Sequence, residues 1–164
     1  MSADPKGLYQ EVILDHNKKP RNYGALARPS HQAEGLNPLC GDHIHVALDL
    51  ADDTVEAIAF EGESCAICKA SASMMTVAVK GRSLSDARTL IDEFVDMATG
   101  RLEPASSPRI GRLAVFSGIS QLPMRVKCAI LPWHTLRAAF DAVATASTEA
   151  VADPMQSPRG DARV

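Results

Sequence analysis

Two adjacent stretches of the chain alternate between apolar and polar residues, which is the pattern of strands with one buried face. Between Asp42 and Leu50, the apolar positions recur at every second residue: Ile44, Val46, Leu48 and Leu50. From Thr54 to Phe60, the large residues Ile58 and Phe60 also share one face. The "ADD" between the two stretches is typical of a turn, so we predict a β-hairpin. A short strand is also predicted over His31 to Leu36.

The first half of the chain also predicts two helices. Apolar residues at helical spacing predict a helix over Leu8 to His16, and Pro20 stops the pattern. After Gly62 the small-residue segment "CAICKASASMMTVAVKG" predicts a second helix, which Gly81 would end. Met74–Met75 within this segment is interpreted as core packing.

The second half predicts three further helices. Ser83 and Asp86 resemble a capping box, and an apolar stripe follows it: Leu84, Ala87, Ile91, Phe94, Val95 and Ala98. Gly100 to Gly111 predicts a surface loop, and Leu113 to Ile119 a short helix. We expect the final helix to begin at Pro132, because proline suits a first turn, with one apolar face formed by Trp133, Leu136, Phe140 and Val143.

Composition narrows the function classes. A length of 164 residues predicts a single domain, assigned to residues 1–148, with a polar, proline-containing tail over residues 149–164 that is expected to be disordered. A net charge of −3 argues against nucleic acid or an anionic membrane as the main partner. The chain opens without a secretory pattern and has no bilayer-length apolar run, so we expect a cytoplasmic protein with reduced thiols.

Four cysteines in such a chain predict metal or redox chemistry. Cys40 and Asp42 lie two residues apart where a strand begins, so a thiol and a carboxylate are expected to point the same way, and a metal ion would join them. Cys65 and Cys128 are each expected at the start of a helix, where amide hydrogens and the helix dipole favour a thiolate. The cations Arg125 and Lys127 flank Cys128 and would act in the same direction.

Other interpretations of these residues remain open. Each cysteine could be a small core hydrophobe. "CAIC", Cys65 to Cys68, could be a thioredoxin-like redox pair, although no βαβ pattern precedes it, or half of a zinc site, although no second close pair follows. His43 and His45 point away from Cys40 on the strand, and His134 is expected at the surface, so none of the three is taken as a ligand.

Five stretches together resemble one family: "LYQEVILDHNKKPRNYG", "NPLCGDHI", "GESCAICKASASMM", "VKGRSL" and "RVKCAILPW". They occur in consistent order over Leu8 to about Phe140 in the U-type iron–sulfur cluster assembly proteins, which comprise IscU, the N-terminal part of NifU, and SufU. The chain is most similar to the SufU branch. Lys127 stands where the Isc type has a histidine, and the stretch between Gly81 and Cys128 is longer than in that type.

The resemblance implies an α+β fold of the SufE/NifU-like kind, with a small antiparallel three-stranded sheet and helices packed on one side. It implies that Cys40, Asp42, Cys65 and Cys128 bind one metal ion. Three thiolates and a carboxylate suit tetrahedral Zn²⁺. Cys68 departs from the family, which usually has a small non-ligand residue there, and would place a spare thiol close to the site.

The implied function is zinc-dependent sulfur transfer in iron–sulfur cluster assembly. Cys40, beside the flexible Gly41, is the expected nucleophile that takes persulfide sulfur from a SufS-type cysteine desulfurase and passes it to the downstream SUF machinery. Arg125 and Lys127 are expected to balance the charge of the centre, or to contact the desulfurase. Two alternatives remain: a non-enzymatic scaffold that carries a transient iron–sulfur cluster on the same ligands, and a module with a purely structural zinc.

Overall fold

The computed structural model describes residues 5–148, so the tail predicted for residues 149–164 lies outside the described residues. These described residues fold into four α-helices, four strands and two 3₁₀ segments. In chain order these are α1 (Pro5–Lys18), β1 (His31–Asn37), β2 (Asp42–Ala51), β3 (Thr54–Glu63), α2 (Ala66–Val79), α3 (Leu84–Ala98), the 3₁₀ segments Pro104–Ser106 and Gly111–Ile119, α4 (Pro123–Phe140) and β4 (Thr145–Ser147). None of the described helices is long and apolar enough to cross a membrane.

The sheet confirms the predicted α+β class and corrects its strand count. β1, β2 and β3 form the expected antiparallel meander, with Val46 opposite Phe60 in the predicted hairpin. The sheet has four strands rather than three, in the order β3-β2-β1-β4, because β4 adds to the outer edge of β1 in parallel. The "TAS" of β4 has no alternation that the sequence could reveal, since its pairing depends on where α4 returns the chain.

One face of the sheet is covered by helices and the other carries polar side chains. On β1, Ala33 and Gly35 are buried, whereas the residues that alternate with them, Gln32 and Glu34, are exposed. The alternation on β1 and its neighbour β2 therefore decides which side α4 covers.

Small residues on α2 let the neighbouring helices approach closely. The hydroxyl of Ser71 donates to the backbone carbonyl of Ala129 on α4, at 2.6 Å. The hydroxyl of Ser73 faces α1, where it lies 2.7 Å from Nδ1 of His16. Met74 and Met75 are buried in the core, as predicted. These contacts fix α2 between α1 and α4.

The final helix begins nine residues earlier than the sequence predicts. Proline at 132 and proline at 123 both suit a first turn, and it is Pro123 that occupies it, while Pro132 lies inside α4. Pro132 has no N–H to donate to the Cys128 carbonyl four residues earlier, but burial of the flanking Leu131 and Trp133 favours a continuous helix. Trp133 stacks on Phe94 of α3 at a centroid distance of 4.4 Å.

The other helix predictions agree with the structure, apart from one residue of the final apolar face. The α3 stripe packs inward, and Ser83 caps this helix by accepting a hydrogen bond from the Asp86 N–H at 3.0 Å. The segment expected to be a short helix is the 3₁₀ helix Gly111–Ile119. Val143, expected on the face of the last helix, lies beyond its end and is exposed.

The contact between β1 and α4 leaves no room for a side chain at Gly35. A Cβ atom there would lie 2.0 Å from Oγ1 of Thr135. We expect Gly35→Ala to lower the free energy of unfolding by about 1–3 kcal/mol, as overpacking of a core does. Urea denaturation measures the change.

The double variant Gly35→Ala/Thr135→Ala removes the clashing hydroxyl. Its loss of stability should be smaller than the sum of the losses in the two single variants. Gly118→Ala is the control, because nothing lies within 4 Å of its added Cβ and it should unfold like the parent protein. Additive effects of the Gly35 and Thr135 substitutions would contradict the close contact.

Candidate metal centre

Cys40 lies on the turn that joins β1 to β2. The strands end at the pair Asn37 and Asp42, so residues 38–41 form the connection. Gly41 has a φ of +73°, a conformation that glycine adopts without the steric cost of a Cβ. The sequence predicts that Cys40 and Asp42 point the same way because they share one face of a strand. This explanation is wrong, because Cys40 precedes the strand. The turn instead carries its exposed thiol over the first residue of β2.

Asp42 is a buried carboxylate, with 2% of its surface exposed. Its Oδ1 accepts a hydrogen bond from the backbone N–H of Cys65, at 2.8 Å. Its Oδ2 accepts from Nδ2 of Asn37, at 3.3 Å. The two donors come from the start of α2 and the end of β1, so the carboxylate is held at both oxygens.

Cys65 is the N-cap residue of α2, as the sequence predicts. Its sulfur accepts a hydrogen bond from the Cys68 N–H at 3.4 Å, in the role that a serine or aspartate oxygen usually fills. The pKa of Cys65 is lowered to about 7, chiefly by a hydrogen bond from the Cys128 thiol. The N–H of Cys68 lowers it as well, whereas burial opposes the shift.

Cys128 is buried on α4, in the second turn of the helix rather than before its start. The helix-start argument for an easily ionised thiol therefore fails here. The pKa of Cys128 is raised, because this thiol donates to Cys65 and because it is buried. Of the two cysteines expected to be acidic, only Cys65 is.

Three of the four predicted ligands lie close enough to bind one ion. One ligand atom each from Cys40, Asp42 and Cys128 lie within 4.8 Å of one another, whereas Cys65 is not part of this group of three. The sulfurs of Cys40 and Cys128 are 3.4 Å apart, and that of Cys65 is 3.9 Å from Oδ2 of Asp42. Neighbouring ligands around tetrahedral zinc, with bonds of about 2.3 Å, are separated by roughly 3.8 Å. That these residues bind a metal stays a prediction that this geometry favours.

A groove of about 1270 Å³ opens beside the cluster. The three sulfurs of the cluster lie along it, and so does Arg125, which is exposed in the first turn of α4. The residues from Pro123 to Cys128 are helical. Lys127 is half-buried, and Arg125 forms no ion pair with any residue of the described range 5–148.

Comparison with known families matches residues 8–129 to the NifU-like N-terminal domain. The chain belongs to this family. The resemblance to U-type proteins is thereby confirmed, and the chain is an iron–sulfur cluster assembly protein of the U type.

Individual relatives carry two kinds of name. The zinc-dependent sulfurtransferase SufU of Bacillus subtilis is 44% identical over 135 residues, which cover 82% of this chain and 90% of the relative. The iron–sulfur cluster assembly scaffold protein IscU of Streptococcus pyogenes is 39% identical over 140 residues, with 85% and 86% coverage. A crystal structure of a putative SUF-system scaffold protein from Fervidobacterium islandicum is 30% identical, with a TM-score of 0.72 over 81% of this chain and 96% of that one.

The three histidines and the fourth cysteine that the sequence analysis considered are not part of the cluster of this U-type protein. His43 and His45 lie on the polar face of the sheet, the side predicted for them, where His43 pairs with Glu34 and His45 with Gln32. His134 is half-buried rather than at the surface, and burial lowers its pKa. Cys68 is fully buried, which raises the pKa of its thiol and makes it a core residue that touches the site through its backbone.

Sequence reasoning missed Asn37, which contacts two of the proposed ligands. Its Nδ2 donates to Asp42 and also lies 3.5 Å from the sulfur of Cys128. The only signal in the sequence is its place in "NPLCGD", three residues before Cys40. A buried asparagine gives no periodicity that would single it out.

The geometry predicts that Cys65 and Cys68 differ in zinc binding although they share one helix start. Cys65→Ser should lose zinc and melt at a lower temperature, because a serine hydroxyl supplies no anionic donor at neutral pH and the binding energy feeds into folding. Elemental analysis and a thermal melt measure both effects.

Cys68→Ser is the matched control and should keep one zinc per chain, since its thiol is buried in the core. Its stability should still fall by about 1–3 kcal/mol, because a hydroxyl is then buried among apolar groups. Full zinc content in Cys65→Ser, or its loss in Cys68→Ser, would refute the assignment.

Proposed function

We propose that this U-type protein is a zinc-dependent sulfur acceptor, which takes sulfur from a SufS-type cysteine desulfurase on Cys40 and hands it to the downstream SUF machinery. The observation that carries the proposal is the asymmetry of the cluster. Cys40 is exposed on a turn, whereas Asp42 and Cys128 are buried and Cys65 is half-buried at a helix cap. One donor is thus accessible to a partner while the other three are held by the fold.

Zn²⁺ would be held by Cys40, Asp42, Cys65 and Cys128. When bound, it keeps the thiols deprotonated and protects them from oxidation. The donor set suits zinc because three of its four donors are soft sulfurs. With all four ligands ionised, their four negative charges exceed the two positive charges of the ion. A cation beside the centre is therefore favourable, and Arg125 and Lys127 lie on the same helix as Cys128.

The transfer itself needs no external oxidant or reductant. The Cys40 thiolate attacks the terminal sulfur of the desulfurase cysteine persulfide, and a new S–S bond forms on Cys40. The S–S bond to the desulfurase cysteine breaks, and its electron pair leaves with that cysteine as a thiolate. Cys40 suits this role because its thiol is exposed and Gly41 lets the turn adopt its conformation.

The groove supplies a surface on which the desulfurase segment carrying the persulfide could dock. Leu14, Leu122 and Met124 line it and are each about half exposed, and exposed apolar side chains gathered in one groove are typical of an interaction site. Arg112 and Arg125 also line the groove and add positive charge to it. A persulfide is anionic, so apolar contact and positive charge together favour its approach to Cys40.

A second candidate function is a scaffold that carries a transient iron–sulfur cluster on the same four residues. The IscU relative with 39% identity favours it. Protein isolated under anaerobic conditions distinguishes the two by its colour and metal content. Colourless protein with one zinc per chain supports the sulfur acceptor, whereas brown protein with iron and sulfide supports the scaffold.

The decisive experiment follows sulfur from L-cysteine onto the protein in the presence of the desulfurase. We expect peptide mass mapping to find one added sulfur on Cys40. Cys40→Ser should acquire none, while Cys68→Ser, the matched control, should load like the parent. Sulfur on Cys65 or Cys128 in the parent protein would overturn the choice of nucleophile.

Arg125 is proposed to contact the desulfurase as well as to balance charge. Arg125→Ala should keep its zinc but activate the desulfurase less, with a higher half-saturating concentration. The deficit should shrink as ionic strength rises, because salt screens the attraction in the parent protein too.

Arg28→Ala is the charge-matched control, since Arg28 is exposed and does not line the groove. It should activate like the parent. If Arg125→Ala loses zinc, its role is local charge balance, and if it activates normally at every partner concentration, it makes no contact that matters. Lys127→Ala should fall between Arg125→Ala and the parent, as this side chain is half-buried.

A further inference from the structure

Asn37 is a completely buried side-chain amide at the end of β1. All of its hydrogen-bonding groups point at partners that are themselves buried. Nδ2 lies 3.3 Å from Oδ2 of Asp42 and 3.5 Å from Sγ of Cys128, and Oδ1 accepts a hydrogen bond from the Thr148 hydroxyl at 3.1 Å. The two hydrogens of one NH₂ group are thus divided between a carboxylate and a sulfur.

The orientation of this amide follows from what surrounds it. With the amide reversed, its carbonyl oxygen would face the Asp42 carboxylate and the Cys128 sulfur, two acceptors that are negative when ionised. The hydroxyl of Thr148 supports the observed orientation by donating to the oxygen. Thr148 follows directly after β4, and its own N–H donates to the Leu36 carbonyl at 3.0 Å, so the edge strand fixes the hydroxyl in place.

We propose that Asn37 is a positioning residue for the metal centre, and that Thr148 locks its amide in the productive orientation. The inference rests on the proposed metal site. Asn37 donates to two of the four candidate ligands, Asp42 and Cys128, which fixes the directions of their lone pairs. Groups of this kind around metal ligands are worth about 10- to 100-fold in metal affinity.

If Asn37 only stabilised the hairpin, its backbone hydrogen bonds would be sufficient and its side-chain amide would not matter. The backbone of Asn37 already pairs with Asp42 across the hairpin, and its carbonyl accepts from the Cys40 N–H at 3.2 Å. Neither contact depends on the side chain. A substitution that keeps the size of the side chain but changes its hydrogen bonding therefore separates the two roles.

Asn37→Asp is that substitution, because it replaces the NH₂ donor by an oxygen of nearly the same size. We expect zinc to leave at least about tenfold faster when a strong chelator is added, since the new acceptor repels Asp42 and Cys128. The cobalt-substituted protein should also change, with weaker thiolate charge-transfer absorption. Neither reading requires the desulfurase.

Thr148 tests the same idea without altering the amide. Thr148→Val removes the hydroxyl at constant shape and should speed zinc release by a smaller factor, of a few-fold, whereas Thr148→Ser restores the hydroxyl and should return to the parent rate. This pair serves even if Asn37→Asp does not fold.

Thr135→Val is the matched control. It removes a buried hydroxyl that donates to the Leu131 carbonyl within α4, so it should lower stability without changing zinc release or the cobalt spectrum. If the parent binds zinc and both Asn37→Asp and Thr148→Val release it at the parent rate, Asn37 does not position the ligands. If the parent takes up no zinc at all, the proposed metal site is wrong and this inference falls with it.

Discussion

The buried carboxylate of Asp42 is the group on which the arrangement of the site depends. A charge removed from water costs several kcal/mol unless it is paired or hydrogen-bonded. Here one oxygen accepts from the Cys65 N–H and the other from the amide of Asn37. Satisfying this one side chain therefore requires the end of β1, the start of β2 and the N-terminus of α2 to meet. Cys40 then lies within reach, because its turn joins the same two strands.

The fourth residue reaches the cluster because small side chains let α4 approach from the other side. Gly35 leaves space on β1 for Thr135, and Ser71 of α2 donates to the carbonyl of Ala129, the neighbour of Cys128. Ser71 also accepts from the indole nitrogen of Trp133, at 3.1 Å. A larger residue at position 35 would move α4, and with it Cys128, away from Asp42. The packing of α4 against β1 and α2 thus determines how far the Cys128 sulfur lies from the other ligand atoms of the cluster.

Much of this could be predicted from the sequence, because alternation and capping are local. The hairpin, the start of α2 at Cys65 and the stripe of α3 follow from residues close together in the chain. The start of α4 and the edge strand β4 could not be predicted, since two prolines offered equivalent starts and three small polar residues carry no pattern. The candidate site was predicted as a set of residues, partly through the family resemblance, but the acidity of Cys128 was misjudged because its helix position was wrong. Asn37 was missed because burial of a polar residue is a tertiary property.

The 3₁₀ segment Gly111–Ile119 lines the groove beside the cluster and also contributes side chains to the core. Ile110, Leu113, Phe116 and Ile119 are buried, and the ring of Phe116 meets the edge of Phe94 at 5.6 Å. On the outer side, Arg109 bridges Asp86 and Glu93 of α3. Exposed ion pairs of this kind stabilise a fold by at most about 1 kcal/mol. Burial of the apolar side chains is therefore the main interaction that holds this segment against α3. The stretch between Gly81 and Cys128 therefore contributes both to the core and to the lining of the groove that leads to Cys40.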